Sequence, residues 1–248
     1  SVQEVADALK GVDIPILVKN PVNPDLQLWI GALERIHQAG ITKLGAIHRG
    51  FSSFQKTAYR NVPKWEIPIE LKATFPEIDI ICDPSHIAGN RSLLATVAQK
   101  AMDLEMTGLM IESHINPDEA WSDAKQQINP KSLNELVENL TIRSTEASSF
   151  ETSSELTAFR KIIDEIDESL IQTLVSRMAL SEKIGQYKLD NNVTILQIKR
   201  WEEIKKTRME HGQSEGLNNE FVKNLLQLIH KESIRQQTDV MNKSVTVG

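Results

Sequence analysis

The stretch ELTAFRKIIDEIDESLIQTLVSRMALSEKIGQYKLD, residues 155–190, decides the fold of the C-terminal part of this chain. Its apolar residues recur mostly at intervals of three and four: Leu156, Phe159, Ile162, Ile163, Ile166, Leu170, Leu174, Met178, Ile184 and Tyr187. This spacing predicts one α-helix of roughly 50 Å. The stretch contains no proline, and only Gly185 weakens the helical pattern.

Three cations lie along this predicted helix, namely Arg160, Arg177 and Lys188. Helical geometry places Arg177 and Lys188 about 16 Å apart along the axis and only about 20° apart in direction, so both can reach one small anion. Arg160 lies about 25 Å from Arg177 and points about 100° away. If Arg160 binds substrate, we expect it to reach the site of a neighbouring copy, which predicts a homodimer formed through the helical domain. The simpler alternative is three snorkelling cations on a dimer-forming helix.

Two further predicted helices add polar side chains to this set. Residues 194–211 carry Gln197 and Arg200 three positions apart, and residues 217–240 carry Ser233 and Gln237 four positions apart. These side chains are hydrogen-bond donors without a general base or a nucleophile. Such a set suits a reaction that needs only a clamp on a dianion and a donor to developing charge.

Residues 155–243 resemble the all-helical chorismate mutase family, through LTAFRKIIDEIDESLIQTLVSRMALSEKIGQYK, ILQIKRWEEI and LLQLIHKESIRQQ. The resemblance implies rearrangement of chorismate to prephenate without a cofactor. It implies the following roles: Arg177, Arg200 and the partner chain's Arg160 hold the two carboxylates, Ser233 helps to hold a carboxylate, Lys188 and Gln237 donate to the ether oxygen, and Gln197 lies near the substrate hydroxyl. Gln197 and Trp201 stand where well-known members carry an aspartate and a glutamate.

These two departures leave other functions open for the helical domain. An isochorismate pyruvate-lyase has the same scaffold and tolerates non-acidic residues at Gln197 and Trp201. A regulatory module would bind prephenate or an aromatic amino acid without turning over chorismate. A helical dimerisation domain would bind no ligand at all.

Residues 1–142 alternate short apolar runs with amphipathic segments, which predicts parallel βα units. The predicted strands are 14–19, 43–48, 78–82 and 108–112, and the predicted helices are 1–10, 25–39, 66–75, 90–104, 117–128 and 131–140. Four units are too few to close an eight-stranded barrel, so the fold class is half of a (β/α)8 TIM barrel followed by an all-α domain. The polar, serine-rich residues 143–154 are expected to form a linker.

Charged residues follow the predicted strands, where βα folds place their sites. Lys19 and Arg49 follow the first two strands, His86 follows the third, Glu112 ends the fourth, and Asp123 lies eleven residues further on. A histidine with two carboxylates suits a divalent transition metal, and two cations suit a phosphorylated carboxylic acid. Taken singly, each residue also has a structural explanation as a solvated cation or a hydrogen-bonded histidine.

Residues 1 to about 130 resemble the second half of 3-deoxy-7-phosphoheptulonate (DAHP) synthase, through CDPSHIAG and GLMIESHINPDEAWSDAKQQI. The resemblance implies that His86, Glu112 and Asp123 bind a divalent metal (Mn, Fe, Co or Zn), and that Lys19 and Arg49 bind phosphoenolpyruvate. The full-length parent would condense this compound with erythrose 4-phosphate. The first four strands of the family are absent here, so we expect no such activity from this chain alone.

Two departures from the synthase pattern occur beside these residues. His48 replaces a glutamate before Arg49, and Lys19-Asn20-Pro21 replaces Lys-Arg-Gly. Cys82 lies within a predicted strand, where we expect it to be a buried packing residue.

The composition limits partners and compartment. The net charge of −6 and the pI near 5.6 disfavour nucleic acid and anionic membranes as partners. A single cysteine, Cys82, excludes an intramolecular disulfide and fits a cytoplasmic protein. The chain begins at Ser1 within a helical pattern, so we expect a fragment of a bifunctional enzyme of aromatic amino-acid biosynthesis. A covalent fusion of this kind permits allosteric feedback from one domain to the other.

Overall fold

The computed structural model describes residues 1–53, 57–144 and 150–245. The chain divides into two compact units, Ser1–Ala147 and Ser148–Gly248. The first unit is α/β and the second is entirely helical. Residues 145–149 of the predicted linker lie outside the described residues, and the first helix of the second unit already begins at Phe150.

Four parallel strands form the sheet among the described residues of the first unit. In sheet order they are β1 (Ile16–Lys19), β2 (Leu44–His48), β3 (Asp79–Cys82) and β4 (Gly108–Leu109). Val18 pairs with Ala46, and Ile47 pairs with Ile81. Consecutive strands are therefore neighbours and all point the same way, as in one half of a (β/α)8 barrel. This confirms the fold class expected from the alternation of apolar runs.

In the described part of this unit, one α-helix precedes the strands and five connect or follow them: α1 (Val2–Ala8), then α2 (Leu26–Gln38), α3 (Glu66–Thr74), α4 (Pro84–Ala88), α5 (Leu94–Asp103) and α6 (Pro130–Glu138). The Asp25 carboxylate caps α2 by accepting the Leu28 amide at 3.1 Å. Asn129 caps α6 in the same way, ahead of Pro130 in the first turn. The core lies between the sheet and the helices, where Trp29 packs with apolar residues of the strands. Cys82 is fully buried in this core, as expected.

Three elements differ from the sequence prediction. Helix α4 was not predicted, although Asp83 caps it, Pro84 opens it and Gly89 ends it in the left-handed conformation. The predicted helix 117–128 is wrong, because only Pro117–Glu119 forms a 3-10 turn and Asp123 has a positive φ of 50°. The fourth strand is shorter than predicted, since only Gly108–Leu109 pairs with β3.

Over residues 150–245, the described part of the second unit, the chain forms three helices: α7 (Phe150–Asp190), α8 (Ile198–Ser214) and α9 (Asn219–Val245). Helix α9 packs against both α7 and α8. Helices α7 and α9 approach each other closely at Gly185, where an added Cβ would lie 3.1 Å from the Gln237 Cα. The glycine that weakens the helical pattern is therefore the residue that lets the two helices meet.

The apolar side chains of residues 154–173 in α7 are left uncovered within the chain. Every residue from 154 to 173 is exposed, although this segment carries apolar side chains at helical spacing. Phe159 and Ile166 are 61% and 60% exposed. A helical segment this long is marginal in water unless its apolar face is covered.

In the described parts of the chain, no helix is both long and apolar enough to cross a bilayer.

Candidate functional site

All of the predicted polar residues of the helical unit except Arg160 meet around one cavity of about 300 Å³. Its lining includes these side chains from all three helices and the segment between α7 and α8: Arg177, Ser181, Lys188, Gln197, Arg200, Trp201, His230, Ser233 and Gln237. The cavity is large enough for a small-molecule ligand. The predicted helical register thus brings Arg177 and Lys188 to one space.

Arg177 and Ser233 form the first polar pair of this cavity. An Nη1 proton of Arg177 is donated to Ser233 Oγ across 2.5 Å, and the Ser233 hydroxyl donates to the Ile229 carbonyl at 2.8 Å. Burial lowers the pKa of Arg177 from its ordinary value, but a guanidinium remains charged at neutral pH. The pair therefore presents a positive charge to the cavity, beside a hydroxyl whose proton points to the Ile229 carbonyl.

Lys188 and Gln237 form the second pair. Lys188 is only 8% exposed, and its ammonium donates to the Ile195 carbonyl at 2.6 Å and to Gln237 Oε1 at 3.0 Å. An ammonium has three protons, so one remains for a ligand. Because the Gln237 oxygen accepts from Lys188, the amide nitrogen of Gln237 is left as a donor. Burial lowers the pKa of Lys188 from its ordinary value.

The other three predicted residues are placed differently. Gln197 lines the cavity at the N-cap of α8, where its side chain makes no capping hydrogen bond. Arg200 also lines the cavity, but its Nη1 donates to Glu203 Oε2 at 2.7 Å. Arg160 is exposed and does not line this cavity.

Sequence reasoning missed a stacked pair of rings in the cavity wall. Trp201 of α8 and His230 of α9 have ring centroids 3.9 Å apart and planes within 6°. The pKa of His230 is lowered from its ordinary value by burial and then by the nearby charges of Arg177 and Lys188. The spacing of His230, Ser233 and Gln237 at i, i+3 and i+7 could have signalled that His230 shares their helix face.

In the α/β unit the three predicted metal ligands lie together. One ligand atom from each of His86, Glu112 and Asp123 lies within 4.8 Å of the others, and His86 Nε2 lies 3.7 Å from Glu112 Oε1. The other ring nitrogen of His86 lies 2.8 Å from the buried Asp83 carboxylate. A carboxylate behind a histidine is the usual arrangement for orienting a metal ligand, so these residues fit a divalent ion.

Two side chains that the sequence analysis did not single out contact the carboxylates. Arg60 Nη1 donates to Asp123 Oδ1 at 2.8 Å and to Gln126 Oε1 at 2.7 Å. The buried Gln126 in turn donates to Glu112 Oε2 at 2.8 Å. One oxygen of each carboxylate is thereby held in place. No sequence signal pairs Arg60 with Asp123, because the two lie far apart in the chain.

Lys19 and Arg49 lie at the carboxyl ends of β1 and β2. Lys19 Nζ lies 3.6 Å from Asp83 Oδ2, which connects it to the His86 cluster. The Arg49 amide donates to the buried Asn20 side chain at 2.6 Å, and Asn20 also donates to the Gly50 carbonyl at 2.9 Å. Asn20, one of the departures from the synthase pattern, therefore ties together the loops after the two strands.

The second departure, His48, is a core residue. Its ring is fully buried among Trp29, Phe51 and Trp65, with the Trp65 ring edge-on at 5.1 Å. Burial lowers its pKa to about 3, so the ring is neutral at physiological pH. Where the synthase pattern has a charged glutamate, this chain therefore has a neutral ring in an apolar core.

The α/β unit and the all-helical unit match the models of two different enzyme families. The model of the DAHP synthetase I family matches residues 2–147, and the model of chorismate mutase type II matches residues 159–238. The first match covers more than half of the chain, so the chain belongs to the DAHP synthetase I family and carries a chorismate mutase type II domain after it.

Individual relatives agree with this division. Residues of this chain are 29% identical over 126 residues to phospho-2-dehydro-3-deoxyheptonate aldolase of Thermotoga maritima, covering 51% of this chain and 37% of that protein. They are 32% identical over 92 residues to the bifunctional chorismate mutase/prephenate dehydratase of Buchnera aphidicola subsp. Schizaphis graminum, covering 37% of this chain and 24% of that protein. The chain therefore spans well under half of the length of these relatives.

A solved structure, a truncated form of 3-deoxy-D-arabino-heptulosonate 7-phosphate synthase from Thermotoga maritima, aligns with a TM-score of 0.49 and 27% identity. The alignment covers 55% of this chain and 50% of that one.

Proposed function

We propose that the helical unit rearranges chorismate to prephenate. The observation that carries this proposal is the convergence of Arg177, Lys188 and Gln237 on one cavity of about 300 Å³. Chorismate has two carboxylates and an ether oxygen that gains negative charge as its bond to carbon breaks. A cationic cavity with fixed donors fits both features.

Each of these residues has a separate role in binding the substrate or stabilising developing charge. Arg177 binds one carboxylate, to which the Ser233 hydroxyl also donates after turning from the Ile229 carbonyl. Arg200 turns from Glu203 to bind the other carboxylate. The free proton of Lys188 and the amide of Gln237 donate to the ether oxygen, and these hydrogen bonds strengthen as the charge develops. The cavity holds the flexible substrate in its reactive conformation, so no proton transfer, covalent intermediate or cofactor is needed.

Turnover of chorismate by the purified chain tests this proposal. Lys188→Met keeps the length of the side chain and removes its donors, so it is expected to lower kcat by at least about a hundredfold. Lys206→Met, at an exposed position of α8, serves as the matched control and should leave kcat unchanged. Equal rates for Lys188→Met and the control would remove Lys188 from the mechanism. Isochorismate is assayed in parallel, and faster release of pyruvate from it would favour the lyase.

We also propose that the working form of the helical unit is a homodimer. The support is the exposed apolar segment 154–173 of α7, which carries Arg160 on a surface away from the chain's own cavity. A second copy would cover the apolar side chains and supply Arg160 to the neighbouring site.

For the α/β unit we propose a divalent metal site of His86, Glu112 and Asp123, with Lys19 and Arg49 as the binding residues for phosphoenolpyruvate. The contact of Asp83 with His86 and the spacing of the three ligands support it. The metal would act as a Lewis acid on a carbonyl oxygen. In a protein with the remaining strands of the barrel, this site would serve the condensation of phosphoenolpyruvate with erythrose 4-phosphate.

Calorimetry with Mn²⁺ tests the metal proposal independently of activity. Glu112→Gln removes a ligand charge at constant size and is expected to weaken Mn²⁺ binding at least about tenfold. Glu70→Gln, an exposed residue of α3, should bind Mn²⁺ like the wild type. Equal affinities of the two variants would show that Glu112 is not a ligand.

A further inference from the structure

The stack of Trp201 on His230 gives the mutase cavity a polar group that none of the roles above uses. Both rings line the cavity together with Gln197, and the stack connects α8 to α9. Trp201 stands at a position where the resemblance leads one to expect a carboxylate. In the structure the Trp201 ring instead stacks on the His230 imidazole of the neighbouring helix.

The orientation of this imidazole is restricted. With the indole parallel at 3.9 Å, one face of the His230 ring is covered. The ring nitrogens lie on the edge of the imidazole, so they remain able to make hydrogen bonds in the ring plane. His230 also lies on the same face of α9 as Ser233 and Gln237. The stack therefore fixes a directional hydrogen-bonding edge beside the residues that bind substrate.

The chemistry of the substrate leaves its ring hydroxyl for this edge, beside Gln197, which the resemblance also places near that hydroxyl. The cations Arg177 and Arg200 match the two carboxylates, and Lys188 matches the ether oxygen. The ring hydroxyl both donates and accepts a hydrogen bond, and a neutral imidazole has one donor and one acceptor nitrogen. Burial and the two neighbouring cations disfavour the protonated form of His230, which keeps it neutral.

We propose that His230, positioned by its stack on Trp201, binds the ring hydroxyl of the substrate and makes the cavity selective for substrates that carry this hydroxyl. The inference rests on the proposed mutase function. Trp201 acts as a positioning residue, since its contact is with the imidazole. In this arrangement a histidine and a tryptophan together replace the acidic partner of the hydroxyl.

The test compares chorismate with its analogue that lacks the ring hydroxyl. The wild type should prefer chorismate by at least about tenfold in kcat/KM, because a site built to bind a hydroxyl rejects a substrate without one. His230→Phe keeps a stacked ring but has no nitrogen, so the preference should fall below about threefold while turnover of the analogue changes little. Trp201→Phe keeps a stacking partner and should retain the preference. His211→Phe, at an exposed position of α8, is the matched control.

The outcomes separate this inference from the proposed function. An equal loss for both substrates in His230→Phe would mean that the histidine only supports the fold, and an unchanged preference would place the hydroxyl elsewhere in the cavity; either result overturns the inference. If the folded wild type turns over neither compound, the mutase proposal fails. In that case the dissociation constants of the two compounds are measured by calorimetry, and His230→Phe is expected to reduce the preference for the compound with the hydroxyl. If neither compound binds, the inference about His230 is overturned.

Discussion

Replacing Arg160 and Arg177 in separate chains and then mixing the chains tests whether each site is built from two copies. Both arginines lie on the single helix α7, which runs from Phe150 to Asp190. Arg177 is bound to Ser233 inside the cavity, whereas Arg160 is exposed and outside it. We therefore expect Arg160 to act in the neighbouring subunit.

The expected loss and recovery of activity follow from helix geometry and from the number of intact sites in each dimer. Seventeen residues separate the arginines by about 25 Å along the axis and about 100° in direction, too far for both to grip one small dianion. Either Arg160→Ala or Arg177→Ala alone removes one charge from both sites of a homodimer, and each should lower turnover by about a hundredfold or more. A heterodimer of the two variants has one site with both arginines and one with neither.

The assay is chorismate turnover after the two variants are mixed, unfolded and refolded together. Statistical mixing makes about half of the dimers heterodimers, and half of their sites are intact, so about a quarter of the wild-type activity should return. Native mass spectrometry measures the fraction of heterodimer, and each variant refolded alone is the control. If heterodimers form and activity does not return, Arg160 acts within its own chain or has no role, and the geometric reasoning is refuted.

Two further predictions concern packing in the helical unit. Gly185→Ala gains about 1 kcal/mol of helix propensity but places a Cβ 3.1 Å from the Gln237 Cα, an overpacking that typically costs about 1–3 kcal/mol. The thermal unfolding temperature should therefore change little, while chorismate turnover should fall severalfold because Gln237 must move relative to Lys188. An unchanged turnover would contradict the tight contact between α7 and α9. Ile166→Glu places a charge on the exposed apolar segment of α7 and should convert the dimer to inactive monomers, as measured by light scattering. The control Lys161→Glu, at an exposed polar position, should remain dimeric. If Ile166→Glu is still dimeric, this segment is not the interface.

Local patterns predicted the elements whose signals lie within one segment. The spacing of apolar residues placed a long helix over residues 155–190, and the structure extends it only to Phe150 at its start. The alternation of apolar runs and amphipathic segments likewise predicted the four parallel strands. The predicted helix 117–128 failed because its apolar spacing carries no sign of the left-handed backbone at Asp123. Helix α4 was missed because it is only five residues long, too short for periodicity to show.

For the candidate sites, too, some features follow from the sequence and others only from the tertiary structure. The sequence by itself determined which residues of α7 share a face, because helical geometry links Arg177 to Lys188 through nothing but their separation in the chain. It also brought His86, Glu112 and Asp123 into one set, since parallel strands end at one edge of the sheet. Only the tertiary structure decided the partners that come from separate elements: the stack of Trp201 on His230, the contact of Arg60 with Asp123, and the fit of Gly185 against α9. The physical reason is that these contacts depend on the angle and depth at which two elements pack, and those follow from the packing of all the side chains between them, which no local periodicity records.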